Sequence, residues 1–216
     1  MTNTATIHHL ETKPATLAPT YEELAARFRP IFARIAEDAV RREQERELPY
    51  EAVRWLREAG FGRVRIPLKY GGFGATISQF FRLLVELAEA DSNVSHLLRG
   101  HFAFLESRIN HTDESVREFW FPKIVEGSLI GYAMAELTAV TGTSATITQQ
   151  DGKWFLNGKK YYSTGTIYAD WIVASVVDGE ERVSVSLPAT APGVTRIDDW
   201  DGFGQRMTGS GTTVFE

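Results

Sequence analysis

The sequence contains no cysteine among its 216 residues and only three methionines. The lack of cysteine excludes a disulfide framework, a thiolate metal site and a cysteine nucleophile, and it is typical of a reducing compartment. No segment approaches the roughly 18 consecutive apolar residues of a membrane-spanning helix. The first 20 residues also lack the apolar core of a signal peptide. We therefore expect a cytoplasmic protein with no membrane partner.

Positive charge is also scarce relative to negative charge. Lys and Arg number 23 and Asp and Glu number 28, which gives a net charge of −5. An acidic chain has no electrostatic reason to bind nucleic acid or an anionic membrane surface. A content of 43% hydrophobic and 24% charged residues is that of an ordinary globular protein. These observations favour a small molecule as the ligand.

The first half of the chain has helical periodicity. Residues 1–20 are rich in Thr, Ala and Pro without periodicity, so we expect a flexible leader. Thr20 and Glu23 have the spacing of a capping box and predict a helix that runs to about Glu47. Gly127 supplies the last helix stop. Further helices are predicted at 49–59, 78–90, 92–108 and 113–126.

After Gly127 the pattern changes to short β runs, bracketed by turn pairs such as 151–152 and 157–158. We predict an α+β fold in which a helical N-terminal domain, 21–127, precedes an antiparallel β-barrel or sandwich domain, 128–216. The chain ends inside a predicted strand, so we expect the β domain to be truncated. The predicted strands are 129–135, 153–156, 171–177, 182–187, 193–197 and 212–215.

Four short motifs of the β half occur in a fixed order: YAMAE at 132–136, GTS at 142–144, GKKYYSTG at 158–165 and AD at 169–170. This order resembles the middle β domain of the acyl-CoA dehydrogenase superfamily, where such segments hold a flavin. Residues 56–74 resemble the helix-to-loop signature of the same superfamily. The resemblance covers residues 21–216 and implies the N-terminal and middle domains, without the C-terminal helical bundle of the superfamily.

Three further segments resemble the flavin-dependent monooxygenase branch, of which dibenzothiophene monooxygenase is the sulfur-oxidising type. They are DDW at 198–200, GQRMTGSG at 204–211, and SHLLRGH at 95–101, which is similar to a helix bearing an active-site histidine. The resemblance implies reduced FMN delivered by a separate flavin reductase, with FAD as the alternative. Oxygen is then transferred to a small organic substrate at an electron-rich atom such as sulfur or nitrogen. It also implies a homo-oligomer, a dimer or tetramer, when the protein is full length.

The resemblance assigns roles to individual residues. His96 and Thr164 are the expected catalytic residues, and Gly100 and Trp200 are expected to line the substrate pocket. Gly100 stands where the sulfur-oxidising type has Tyr, and Tyr132 stands where it has Asn. Alternation along a strand would place Tyr162 and Thr164 on one face. The expected flavin-binding residues are Tyr132, Met134, Ala135, Gly142, Thr143, Tyr162, Ser163 and Thr164.

We predict different roles for the two histidines of 92–108. Ser92 and Gly100 lie one helical turn from His96 and leave room beside its imidazole, which favours a hydrogen-bond donor to the activated flavin or to the substrate. His101 is expected to be structural. Because the two are five residues apart, they point roughly 140° apart on a helix, so no metal site is expected.

Plainer interpretations stay open for several of these residues. His96 is equally consistent with a core or surface histidine, Trp200 with a core residue, and 162–164 with an ordinary strand. Arg206 and Ser210 either bind phosphate or hold their loop. Glu136 is expected to tie a turn together. At the level of the protein, the alternatives are an FAD-dependent acyl-CoA dehydrogenase and an inactive fragment or scaffold.

Overall fold

A computed structural model describes residues 18–137 and 144–216. Most of the predicted leader, residues 1–17, therefore lies outside the described residues. Short 3₁₀ turns occur at Phe61–Arg63, Leu68–Tyr70 and Thr166–Tyr168. The helices of the first half are α1 Tyr21–Glu37, α2 Ala39–Glu45, α3 Tyr50–Ala59, α4 Ile77–Ala90, α5 Ser92–Leu97, α6 Arg99–Ile109 and α7 Glu114–Val125.

The capping box at Thr20 is confirmed, but the single helix that it was expected to open is divided at Asp38. The Thr20 N–H donates to the Glu23 carboxylate at 2.7 Å, and the Thr20 hydroxyl accepts from the Glu23 N–H at 3.3 Å. Beyond this break, α2 carries Arg42, which is buried and forms an ion pair with Asp91 at 2.8 Å. The prediction of one helix to Glu47 was therefore wrong.

The helix predicted over 92–108 is also divided. Asp91 caps α5 by accepting from the N–H groups of Asn93 and Val94. At Leu98 the backbone reaches φ −81° and ψ −5°, so α5 ends at Leu97 and α6 begins at Arg99. His96 and His101 therefore lie on two different helices.

The second half forms one curled sheet, a half-barrel. Its strands are β1 Ile130–Ala133, β2 Thr146–Gln150, β3 Lys153–Lys160, β4 Trp171–Asp178, β5 Glu181–Pro188, β6 Val194–Ile197 and β7 Thr212–Phe215. They follow the order β1, β4, β2, β3, β7, β6, with β5 on the other edge of β4. The sheet is mixed and not antiparallel throughout as predicted, because β1 and β2 run parallel to β4. Strands β1 and β4 start from the same place: the carbonyl of Leu129 accepts from the N–H groups of Asp170 and Trp171.

Of the two predicted turn pairs of this half, 151–152 is confirmed and 157–158 is not. Asp151 and Gly152 both have positive φ, 49° and 74°, and form the β2–β3 hairpin as predicted. Gly158 lies inside β3 instead of ending it. A Cβ atom on Gly158 would stand 2.6 Å from the Cα of Ala145, so this glycine allows two backbones to approach closely.

One hydrophobic core joins the helices to the start of the sheet. It contains helical residues such as Phe61 and Leu105 together with Ile130 and Val173. A second, smaller core lies inside the half-barrel, where strands β2, β3, β5, β6 and β7 also surround a cavity of about 810 Å³. No helix in residues 18–137 or 144–216 is both long and apolar enough to cross a membrane.

Candidate active site

The segment that follows β3 changes direction at Tyr162. Its φ of 55° is left-handed, a conformation that costs free energy for a residue with a side chain and is concentrated at functional sites. The expected strand alternation of Tyr162 and Thr164 was therefore wrong. Beside it, Ala135 forms an antiparallel bridge with Tyr161, and its carbonyl accepts from the Tyr161 N–H at 3.0 Å. Met134 and Tyr162 flank this bridge with 40% and 51% of their surfaces exposed.

The turn carries the chain against the end of α5. At Gly165, with φ of 77°, a Cβ atom would stand 2.6 Å from the carbonyl oxygen of Leu97, so only glycine fits this approach. The N–H of Tyr132 donates to the carbonyl of Thr164 at 3.3 Å. The helix bearing His96, strand β1 and Thr164 therefore meet in one place.

Thr164 is buried, and its hydroxyl begins a series of contacts with the β6–β7 loop. Its Oγ1 lies 2.9 Å from Ser210 Oγ, and Ser210 Oγ lies 2.6 Å from Thr208 Oγ1. The Thr208 hydroxyl donates to the carbonyl of Gln205 at 2.8 Å. Ser163 is fully buried, and its N–H donates to the carbonyl of Gly211 at 2.9 Å. Of the two interpretations left open for Ser210, these contacts are those of a residue that holds the loop.

Trp200 lies beside Tyr162, with ring centroids 5.6 Å apart and planes at 90°. Its indole N–H donates to the carbonyl of Gly204 at 3.1 Å. Arg46 fixes the loop from the helical side: it forms two 2.8 Å hydrogen bonds with Asp198 and a third, at 3.0 Å, with the carbonyl of Trp200. Trp200 and Tyr162 thus form an aromatic surface next to the turn.

The two histidines differ in environment. His96 is half-buried, and among the described residues no group hydrogen bonds to its ring; burial, with a smaller effect of Arg99, lowers its pKa. His101 is fully buried, and burial lowers its pKa to about 4. The Nδ1 atom of His101 accepts from the Ile130 N–H at 3.3 Å, and its Nε2 lies 2.8 Å from the carbonyl of Gly62, to which it donates. The structural role expected of His101 is confirmed.

Gly100 is in direct contact with Tyr132. A Cβ atom on Gly100 would stand 2.8 Å from Cδ2 of Tyr132 and 3.3 Å from its Cβ and Cγ. The half-buried Tyr132 ring therefore occupies the space that a side chain at position 100 would need. Burial raises the pKa of its phenol.

Glu136 joins segments that are distant in the sequence, as expected of a residue that ties a turn. It accepts hydrogen bonds from the Ala145 N–H at 3.0 Å, the Ser144 hydroxyl at 3.1 Å, the Arg182 guanidinium at 3.2 Å and the fully buried Lys160 ammonium. Burial alone would raise the pKa of Glu136, but these donors, Lys160 foremost, lower it to about 2.

Two expected flavin-binding residues, Gly142 and Thr143, lie outside the described residues. Sequence patterns assigned no role to Thr208 or Arg46, although both contact residues of the candidate site. The run of small residues rich in hydroxyl groups at 208–213 is a sequence signal that could have pointed to Thr208. Nothing local marks Arg46, since its partner Asp198 is 152 positions away. Residues 18–137 and 144–216 contain no group of three or more His, Asp or Glu side chains that could hold a metal ion.

Comparison with known proteins gives two family matches that together cover most of the chain. The N-terminal domain of acyl-CoA dehydrogenase matches residues 19–128, and the middle domain of the same family matches residues 131–216.

Individual relatives agree with these matches. A probable FMNH2-dependent monooxygenase of Pseudomonas putida, SfnC, is 27% identical over 87% of this chain and 48% of its own length. The dibenzothiophene monooxygenase of Rhodococcus qingshengii is 29% identical over 74% of this chain and 40% of its own length. The structure of the methanesulfinate monooxygenase MsuC from Pseudomonas fluorescens superposes with a TM-score of 0.78 at 27% identity, covering 88% of this chain and 49% of that one. The chain spans about half the length of these relatives, and it belongs to the acyl-CoA dehydrogenase family.

Proposed function

We propose that this chain is part of a flavin-dependent monooxygenase. It takes reduced FMN from a separate flavin reductase and uses O2 to oxygenate a small organic substrate at an electron-rich atom such as sulfur or nitrogen. The observation that carries the proposal is the turn at 162–165, which joins an exposed aromatic surface to buried hydroxyl groups beside the His96 helix. The names of SfnC, MsuC and dibenzothiophene monooxygenase support it.

The residues of the turn fit a flavin. An isoalloxazine ring needs an apolar or aromatic wall and hydrogen-bonding groups at its polar edge. Met134, Tyr162 and Trp200 provide the wall, and Tyr162 combines a left-handed backbone with a side chain that is 51% exposed. Ser163 and Thr164 provide polar groups that the surrounding chain already holds in place.

We assign the following roles within this proposal. The flavin supplies the oxygen chemistry when it is bound. Met134, Ala135, Tyr162, Ser163 and Thr164 hold and orient it, and the sequence resemblance extends this role to Gly142 and Thr143. Tyr132 stands between this group and α6, so its ring keeps water away from the reacting atoms.

His96 and Thr164 are proposed as the residues that hydrogen bond to the reacting groups. A half-buried histidine with a lowered pKa is neutral near pH 7, so one ring nitrogen donates and the other accepts. Gly100 and Trp200 are proposed to border the substrate.

The alternative is an FAD-dependent acyl-CoA dehydrogenase, which the family allows. Such an enzyme needs a carboxylate base to remove a proton from its substrate. In the site loop, Asp198 pairs with Arg46, and Asp199 accepts from the N–H and the hydroxyl of Thr212, both at 2.7 Å, so these two carboxylates already have partners. The names of SfnC, MsuC and dibenzothiophene monooxygenase favour the monooxygenase.

The wider organisation belongs to the same proposal. We infer a helical domain, 21–127, and a flavin-binding β domain, 128–216, in a protein that works in the cytoplasm. Its partners are a flavin reductase, a small-molecule substrate and further copies of itself.

Anaerobic titration tests the proposal. The chain is titrated separately with FMN, with dithionite-reduced FMN and with FAD, and dissociation constants are measured by fluorescence. We expect reduced FMN to bind most tightly. A clear preference for FAD, together with bleaching of the bound flavin by an acyl-CoA, would assign the protein to the dehydrogenases instead.

A further inference from the structure

The hydroxyl groups that follow Thr164 have only one satisfactory arrangement of protons. Three close contacts link Thr164 to Ser210 at 2.9 Å, Ser210 to Thr208 at 2.6 Å, and Thr208 to the carbonyl of Gln205 at 2.8 Å. Each hydroxyl has one proton to donate, and the carbonyl has none. Three protons can therefore serve three contacts only if every hydroxyl donates toward Gln205.

This direction determines what Thr164 offers to a ligand. Its proton points to Ser210, and the next nearest acceptor, the carbonyl of Tyr162 at 3.4 Å, also belongs to the protein. Within the described residues, no group donates to Thr164 Oγ1. The oxygen of Thr164 is thus left with a lone pair and no proton for a bound molecule. Burial of all three hydroxyl residues makes an unpaired group costly and keeps the arrangement fixed.

Flavin changes its hydrogen-bonding character at one ring nitrogen when it is reduced. The central nitrogen N5 carries a lone pair in the oxidised ring and a proton in the reduced ring. An acceptor that cannot donate complements the N–H group and repels the lone pair.

We propose that Ser210 and Thr208 are positioning residues that make Thr164 an obligate acceptor and so give the site its preference for reduced over oxidised flavin. The inference rests on the proposed function, because it requires the N5 edge of a bound flavin to lie against Thr164. It concerns which residues set the ratio of the affinities for reduced and oxidised FMN, a question that the proposed function leaves open.

The test measures the dissociation constants of oxidised FMN and of dithionite-reduced FMN under argon for a set of variants. In Thr208→Val the acceptor of the Ser210 proton is removed, so Ser210 becomes free to donate to Thr164 and the Thr164 proton can turn to the ligand. Ser210→Ala removes the acceptor of Thr164 directly. We expect each to lower the preference for reduced FMN about tenfold, which corresponds to roughly 30 mV in the two-electron potential of bound flavin.

Two controls separate this effect from loss of structure. Thr208→Ser keeps the hydroxyl and is expected to keep the wild-type ratio. Thr213→Val makes the same change at a fully buried threonine of β7, whose hydroxyl has Thr166, at 3.3 Å, as its one hydrogen-bond partner among the described residues. It should also leave the ratio unchanged. Circular dichroism shows whether each variant is folded, and Ser210→Ala serves if Thr208→Val is not.

The outcomes are distinct. If neither form of FMN binds to the wild-type chain, both the proposed function and the inference that rests on it are wrong. If FMN binds but the ratio is the same in the wild type, Thr208→Val and Ser210→Ala, the flavin site stands and the one-way hydroxyl chain is wrong.

Discussion

At the scale of single residues, burial decides the role of each histidine. His101 is buried with its Nδ1 accepting and its Nε2 donating, so protonation would turn the Nδ1 acceptor into a second donor that faces the Ile130 N–H. His96 is half-buried and has both nitrogens available among the described residues. His101 is therefore a structural residue, and His96 is a candidate catalytic residue.

The buried His101 predicts a pH dependence of stability. Its pKa is about 4 in the folded chain, against an ordinary value of 6.5, because burial disfavours the charged ring. The unfolded chain takes up this proton below pH 6.5, whereas the folded chain resists until about pH 4. The contribution of His101 is complete above pH 6.5 and is lost as the pH falls toward 4, up to about 3 kcal/mol.

Urea unfolding at a series of pH values checks this expectation. His101→Gln should lower the stability at pH 7 and flatten its pH dependence between pH 7 and pH 4.5. The matched control His111→Gln, in the α6–α7 loop, should keep the wild-type slope. The slope is separate from the effect of Glu136, whose pKa is lowered from 4.5 to about 2 and whose contribution is lost only below pH 4.5. Equal slopes in the wild type and His101→Gln would contradict the prediction.

The contact between Gly100 and Tyr132 predicts that Gly100→Ala destabilises the wild-type chain but stabilises a chain that also carries Tyr132→Ala. In the wild type, Gly100→Ala places a methyl group 2.8 Å from the Tyr132 ring and should destabilise the chain by about 1–3 kcal/mol. In a Tyr132→Ala background the ring is gone, and alanine is the better helix former by about 1 kcal/mol, so the same change should stabilise. A double-mutant cycle by thermal unfolding measures the coupling; additive effects would show that the two residues do not share this space.

At the scale of elements, the sequence predicted which segments are helices or strands better than where they turn. Periodicity and caps located α3, α4 and α7 because those signals are local. The breaks at Asp38 and Leu98 were missed because periodicity does not register a break of one residue. The buried ion pair of Arg42 in α2 was also beyond local signals, since its partner Asp91 is 49 positions away. Gly158 was read as a turn because a glycine that allows close backbone approach looks the same in sequence as one that ends a strand.

The candidate site shows the same limit. The motif at 158–165 located the site segment, but strand alternation could not predict the left-handed Tyr162, since the periodicity carries no information on a single reversed φ. The parallel pairing of β1 and β4 could not be predicted from sequence patterns either, because it depends on where the chain returns after the 3₁₀ turn at Thr166–Tyr168. The sequence therefore pointed to the segment of the candidate site but not to the arrangement of its residues.

At the scale of the whole molecule, the helices and the sheet share one core. Ile130 and Val173 belong to the hydrophobic cluster of the helices, and the rings of Trp120 and Trp171 meet edge to face at 5.1 Å. Arg57 adds an ion pair with Asp170 and a 2.8 Å hydrogen bond to the carbonyl of Gly127. The inside of the half-barrel has a smaller core of its own beside a cavity of about 810 Å³.

A shared core predicts that α6 and β4 unfold together, although they lie in different proposed domains. Hydrogen exchange of peptides from Arg99–Ile109 and Trp171–Asp178, followed in increasing urea, should converge on one free energy of unfolding. Ile130→Ala, at a side chain 2% exposed, should lower that value by about 2–4 kcal/mol in both peptides at once. Val185→Ala, at a half-exposed position that lines the cavity, should cost less because the methyl groups it removes are less buried. If Trp171–Asp178 instead exchanges in an earlier transition that Ile130→Ala does not move, the sheet unfolds independently and the common core does not couple the two halves.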